Sequence, residues 1–142
     1  MARNSKPSSL LIDTHVWLWL ASGTELSTGV REALAIAASN GRLRVAAISV
    51  WEIAMLASRN RVTLGKPAAA WFEEALSAPG LSIEPLSPMI AIDSCHLPER
   101  FHADPADRLI VATTRVTGAT LVTRDGPILN YASRGYLSTL AA

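Results

Sequence analysis

The sequence predicts an α/β/α sandwich around a mostly parallel sheet, because short apolar runs alternate with amphipathic stretches along its 142 residues. The runs at 10–12, 43–48 and 119–123 are apolar without interruption by charge, apart from Arg44. Strands buried on both faces have that composition. Turn residues punctuate the pattern, with Gly41, Pro79-Gly80 and Gly118 standing where one element stops and the next begins.

In order, residues 10–12 read as a first strand and 16–21 as the start of a helix. Ser27 caps an amphipathic helix to about Asn40, with Val30, Leu34 and Ala37 on one face. A strand at 43–48 leads into a helix at 49–60. After the polar loop with Gly65-Lys66-Pro67, a helix is expected at 68–77, a strand at 81–86 and a helix at 88–97. A further helix at 105–117 feeds the strand at 119–123, and Asp125-Gly126-Pro127 reads as a turn. Residues 1–9 form a polar tail expected to be mobile, and 10–142 a single domain without repeats or linkers.

Apolar residues at 49% and charged residues at 18% exclude a disordered chain. No run reaches the length of a membrane span, and Asp13 and His15 interrupt the N-terminal apolar stretch before it could serve as an export signal. One cysteine, Cys95, allows neither an internal disulfide nor a thiolate metal site, which points to a reducing, cytoplasmic setting. The net charge of +1 names no partner. Eleven of the thirteen basic residues are arginine, a bias compatible with RNA phosphates and equally with a GC-rich genome.

Four acids fall where ligands bind in open parallel sheets, beyond the carboxyl ends of the strands. Asp13 follows the first strand, Glu52 lies one turn into the helix after the second, and Asp125 comes two residues after the strand at 119–123. Asp107 opens the helix that feeds that strand, and needs the loop at 100–104 to bring it round. Each has a plain structural alternative. Ser49-x-x-Glu52 is a capping box, Asp104-Pro105-Ala106-Asp107 a complete helix start, Asp125-Gly126 a turn pair, and Asp13 a helix cap.

Together the four say more. At about 5 to 8 Å and an effective dielectric near 20, each pair of carboxylates repels by roughly 2 to 3 kcal/mol. Six such pairs rival the stability of a whole domain, so acids that do meet require a divalent cation. Oxygen ligands without Cys or His favour Mg2+, or Mn2+, over zinc. With four of the twelve acids engaged, eight stand against thirteen basic residues, and the remaining surface attracts a polyanion.

The stretches LLIDTHVWLWL (10–20), ISVWEIAML (48–56), HADPADRLIVATT (102–114) and TLVTRD (120–125), in this order, resemble the PIN-domain family, and specifically VapC-type toxins of bacterial toxin–antitoxin pairs. The likeness runs from about residue 10 to residue 131. It implies a PIN-like fold and a magnesium-dependent endoribonuclease hydrolysing RNA by metal-activated water, with Asp13, Glu52, Asp107 and Asp125 as catalytic metal ligands. It also implies a homodimer and inhibition by a cognate antitoxin. Asp104 reads as helix cap first and fifth ligand second. Thr14 and Thr123 stand beside acids, where they could orient water; Thr123 reads first as an ordinary strand residue.

Arg108 and Arg124 are candidates for holding the RNA phosphate, or else for ion pairs with neighbouring acids. His15 reads as an edge residue, His96 and His102 as solvated loop positions. The four tryptophans read as core, except that Trp17 and Trp19, about 200° apart on a helix, must diverge, so that one of them lines an apolar groove for the antitoxin. The competing functions are a housekeeping RNA-processing nuclease on the same fold and a non-catalytic binding module. A receiver domain lacks its late lysine here, and no Gly-rich phosphate loop is present.

Overall fold

A computed structural model describes residues 8–23 and 26–142. The elements run β1 (Leu10–Ile12), α1 (Thr14–Ser22), α2 (Thr28–Ser39), β2 (Leu43–Ala46), α3 (Ala47–Ser58), α4 (Ala68–Leu76), β3 (Leu81–Glu84), α5 (Pro88–Cys95), α6 (Pro105–Thr117), β4 (Thr120–Thr123), α7 (Gly126–Ser133) and β5 (Ser138–Ala141). Five strands form one sheet in the order β3-β2-β1-β4-β5, and every pairing is parallel. Leu10 stands opposite Leu43 on one side and Thr120 on the other.

Strand alternation sends successive side chains to opposite faces, and the two cores follow from it. Ile12, Val45 and Val122 face a cluster with Val16 and Trp17 of α1, Val30, Leu34 and Ala37 of α2, and Trp71 of α4. Leu11 and Leu121 face the other cluster, with Ile90 of α5, Ile110 and Val111 of α6, and Ile128 and Tyr131 of α7. This is the α/β/α sandwich the sequence predicts. Among the described residues no helix is long and apolar enough to cross a membrane.

Several expectations need correction. The chain turns from β2 straight into α3 at Ala47, so Ser49 lies inside the helix rather than at its cap, and the capping box with Glu52 does not form. Asp125-Gly126-Pro127 is a helix start, not merely a turn: Asp125 caps α7 and accepts from Ile128 N–H at 3.0 Å, with proline in the first turn. The edge strand β5 has no counterpart in the sequence reading, because four mixed residues at 138–141 carry no alternation. Trp51, read as core, is 57% exposed, whereas Trp17 and Trp71 are buried as expected. Of the tail, residues 1–7 lie outside the described residues. Ser9 is tied down, its carbonyl accepting from Thr120 N–H at 3.0 Å.

Gly80, at φ +81°, enters β3 against the end of α2, and a Cβ there would stand 1.7 Å from the Ala38 carbonyl oxygen. Gly118, at φ +71°, caps α6 in open space. Both are left-handed, but only one is crowded. Gly80→Ala should therefore lower the unfolding free energy by about 3 kcal/mol or more, from backbone strain plus overpacking. Gly118→Ala should lower it by about 1 kcal/mol, from strain alone. Equal losses in chemical denaturation would show that the close approach to Ala38 is not tight.

Candidate metal centre

Order β3-β2-β1-β4-β5 puts the reversal of winding between β1 and β4, and at such a point the loops part and leave a crevice at the carboxyl edge. Asp13 leaves β1 there and Asp125 follows β4. Glu52 arrives on α3 directly after β2. α6 runs antiparallel to the strand it feeds, so its first turn, with Asp104 and Asp107, starts at the same edge. Asp13, Glu52, Asp104, Asp107 and Asp125 line one cavity of about 420 Å³, together with His15, Trp19 and Arg124.

Asp13 is 7% exposed and held on both oxygens. Oδ1 accepts from Thr14 N–H at 2.7 Å as the cap of α1, and Oδ2 accepts from the Thr123 hydroxyl at 2.7 Å. Thr123 Oγ1 in turn accepts from Asp125 N–H at 3.0 Å. One buried hydroxyl thus fixes the spacing of two acids from different strands. The Thr14 hydroxyl donates to Glu52 Oε1 at 2.5 Å and lies 2.8 Å from the Ser49 hydroxyl. The Ser49 that suggested a capping box belongs instead to this buried polar chain. Asp104 caps α6, its Oδ1 accepting from Asp107 N–H at 3.1 Å, while also lining the cavity. Cap and cavity wall are one residue.

Burial dominates the electrostatics. Asp13 is pushed above the ordinary aspartate range by loss of water, against the opposing bonds from Thr123 and Thr14. Glu52 is raised by burial, partly offset by the Thr14 hydroxyl. Asp107 rises to about 7, through burial first and then through Asp104, Asp125, Asp13 and Glu52. A set of crowded carboxylates that offers only oxygen, partly desolvated and mutually repelling, suits a hard divalent cation and does not suit zinc.

Other candidates fall differently. His102 is an exposed loop residue as read, and it places Nε2 3.2 Å from Asp107 Oδ2. Arg108 does not face the cavity. Its guanidinium donates to the carbonyls of Ser94 at 2.9 Å, Phe101 at 3.1 Å and His102 at 3.4 Å, so it fastens the loop before α6 to α5, and among the described residues it forms no ion pair. Adjacent helix positions point about 100° apart, which turns Arg108 away when Asp107 faces in. Arg124 does reach the cavity wall, stacked 4.3 Å over the Trp19 ring. Trp17 and Trp19 diverge as the helical wheel requires. Trp17 is buried in the core, and Trp19 reaches this cavity; both tryptophans, rather than one, line an apolar groove of about 570 Å³ beside it, as does His15.

A folded-state pKa near 7 against 3.8 unfolded means that folded Asp107 holds the extra proton, so its contribution to stability is lost as pH rises through 7. Asp13 and Glu52 act in the same direction. Metal-free protein should accordingly melt higher at pH 6 than at pH 8, and Asp107→Asn should shrink that difference. Calorimetric scans at the two pH values check this, and identical scans for the variant and the parent chain would contradict the crowding.

Residues 10–133 match the family model of the PIN domain. Ribonuclease VapC22 of Mycobacterium tuberculosis is 37% identical over 119 residues, covering 83% of this chain and 88% of that protein. Among solved structures, VapBC2 from Rickettsia felis bound to a promoter DNA fragment superposes with a TM-score of 0.69 at 15% identity, over 93% of this chain and 97% of that one. A toxin–antitoxin complex from Klebsiella pneumoniae gives a TM-score of 0.60 at 18% identity, over 93% and 96%. At such identities the structural likeness speaks for the fold, while the family model and the 37% relative speak for descent. The chain belongs to the PIN-domain family, as a protein of the VapC type.

Proposed function

We propose that this protein is a divalent-metal-dependent endoribonuclease, using Mg2+ or Mn2+, and the toxin of a toxin–antitoxin pair acting in the cytoplasm. The observation that carries the reading is the single cavity shared by Asp13, Glu52, Asp104, Asp107 and Asp125. Kinship with a VapC ribonuclease supports RNA as the polymer cut. Asp13, Glu52, Asp107 and Asp125 would hold the cation, with Asp104 as a further candidate. When bound, the cation supplies water activation and neutralises charge on the scissile phosphate.

The protein's own groups supply order. Thr123 ties the Asp13 carboxylate to the Asp125 backbone, and Thr14 fixes one oxygen of Glu52. Arg124 is the cation on the cavity wall and the residue proposed to meet the RNA phosphate. Arg108 is the weaker candidate for that role, since it does not line the cavity and two of its nitrogens serve the carbonyls of Ser94, Phe101 and His102.

The apolar groove, lined by Trp17, Leu20, Leu64, Trp71 and Ala75, is the proposed seat of the antitoxin as a helix or extended segment. His15 and Trp19 border groove and cavity alike, so an occupant of the groove reaches the mouth of the acidic site. The solved VapBC complexes of the same fold support a protein partner. A homodimer is proposed on the family's pattern, and exposed Met89 and Ile92, three apart on α5, offer apolar surface for it.

Two outcomes test the reading. Asp107→Asn should abolish metal-dependent cleavage of RNA, at least a hundredfold, while raising the melting temperature of the metal-free protein at pH 8, because a repelling charge is removed. Residual full-rate cutting, or a lower melting temperature, would count against the metal centre. Leu20, 38% exposed on the groove wall, can be changed without touching the acids. Leu20→Asp should weaken co-purification and binding of the protein encoded beside this gene by tenfold or more, with cleavage retained. Unchanged binding would move the antitoxin to another face.

A further inference from the structure

We propose that His102 is itself a ligand of the cation, adding one imidazole nitrogen to the carboxylate oxygens and tilting the site towards Mn2+ over Mg2+. The inference rests on the metal-centre reading above and deepens it. His102 lies in the loop between α5 and α6, a segment the sequence presents as solvated. Its Nε2 nevertheless stands 3.2 Å from Asp107 Oδ2, and ligand atoms of His102, Asp107 and Asp125 all lie within 4.8 Å of one another. Donors side by side on an ion of this size stand about 3 Å apart, and donors on opposite sides about 4.3 Å. The His102–Asp107 pair, at 3.2 Å, has the side-by-side spacing.

The loop is built to keep the ring there. Arg108, half-buried, holds the carbonyls of Phe101 and His102, and the Phe101 ring lies 4.3 Å from the imidazole, centroid to centroid. One guanidinium thus ties two loop carbonyls to that of Ser94 in α5, which fixes the backbone from which the imidazole extends. Without a cation, Nε2–H can donate to Asp107, while Nδ1 accepts from Asp104 N–H at a long 3.4 Å. Ligation through Nε2 needs the other neutral tautomer. One proton leaves Nε2 and one is taken from water at Nδ1, so the donation to Asp107 and the long contact from Asp104 N–H are both given up.

A nitrogen donor separates ions that carboxylates alone treat alike. Mg2+ holds to oxygen and water, whereas transition-metal ions accept imidazole. The rival account is an ion pair in which His102 merely screens Asp107. Removing a screen would strengthen both ions together, so the two accounts differ in sign.

The test uses the full chain at pH 8. Mn2+ and Mg2+ affinities are measured by calorimetry, and nitrogen coupling to bound Mn2+ by pulsed electron paramagnetic resonance. The parent chain should show coupling to an imidazole nitrogen, and His102→Ala should lose it. Mn2+ affinity should fall tenfold or more in that variant while Mg2+ affinity changes less than threefold. His102→Gln gives the same comparison should the alanine variant fold poorly, and His15→Ala should keep the coupling. Absence of nitrogen coupling in the parent, its loss in His15→Ala, or equal changes for both ions overturns the assignment. Binding of both ions without coupling overturns this inference alone, whereas binding of neither brings down the metal centre as well.

Discussion

Carboxylates do not gather in a partly dry cavity unless something holds them, and in this protein the holding is done by the ends of helices. Asp13, Asp104 and Asp125 each cap a helix with one oxygen, at α1, α6 and α7, and Asp107 sits in the first turn of α6. Three helix N-termini therefore point their free N–H groups at one place. Each contributes a partial positive charge of about half an elementary charge, which lessens the repulsion without cancelling it. What remains uncancelled is visible in Asp107, held at about 7 by burial and by four neighbouring acids. Stability lost in this way is the usual signature of a site shaped for a ligand rather than for folding.

This arrangement removes the opposition between a structural and a functional acid. A carboxylate has two oxygens, and a cap engages one of them. Asp104 illustrates the point, since it satisfies Asp107 N–H and still borders the cavity. Thr123 does comparable double duty, donating to Asp13 and accepting from Asp125 across neighbouring strands β1 and β4. Its side chain is wholly buried, and its two bonds tie the acid after one strand to the acid after the next. Positioning by a buried hydroxyl is stiffer than positioning by a loop, which suits a site whose geometry matters to a few tenths of an ångström.

The acids were legible because strand ends are legible. A short apolar run followed by Asp or by a helix start marks the carboxyl edge, and a helix that feeds a parallel strand must begin at that edge, which brings Asp107 in without special pleading of the loop. Direction on a helix is harder to read. Ser49 and Glu52 have the spacing of a capping box, but the helix begins at Ala47, two residues earlier, and the same serine is buried beside Thr14 instead. Arg108 was attractive because it adjoins Asp107 in sequence, the very relation that turns it away in space. His102 carried no signal. Its partner lies five residues on, across a cap and a proline, a spacing that fits no helical or strand rule. The strand β5 escaped for a simpler reason, since an edge strand of four residues with a single half-buried apolar side chain, Leu140, lacks the pattern on which such inference depends.

The rim joins what the two hollows would otherwise do separately. Trp19 and His15 border the acidic cavity on one side and the apolar groove on the other, with the Arg124 guanidinium lying over the Trp19 ring. Stacking of that kind contributes on the order of 0.5 to 1 kcal/mol at an exposed site, and Arg124 Nε also donates to the Ala142 carbonyl at 3.1 Å, so the guanidinium is held from two sides. In the proposed reading a partner that settles beside Trp19 changes where Arg124 rests, and so changes the charge presented to an incoming phosphate. A divided surface with no shared side chain would need a partner long enough to cover the acids themselves. In the proposed reading the coupling would run through the two shared rings and Arg124, which a partner would have to pull from the Trp19 ring and the Ala142 carbonyl to alter what the cavity can bind.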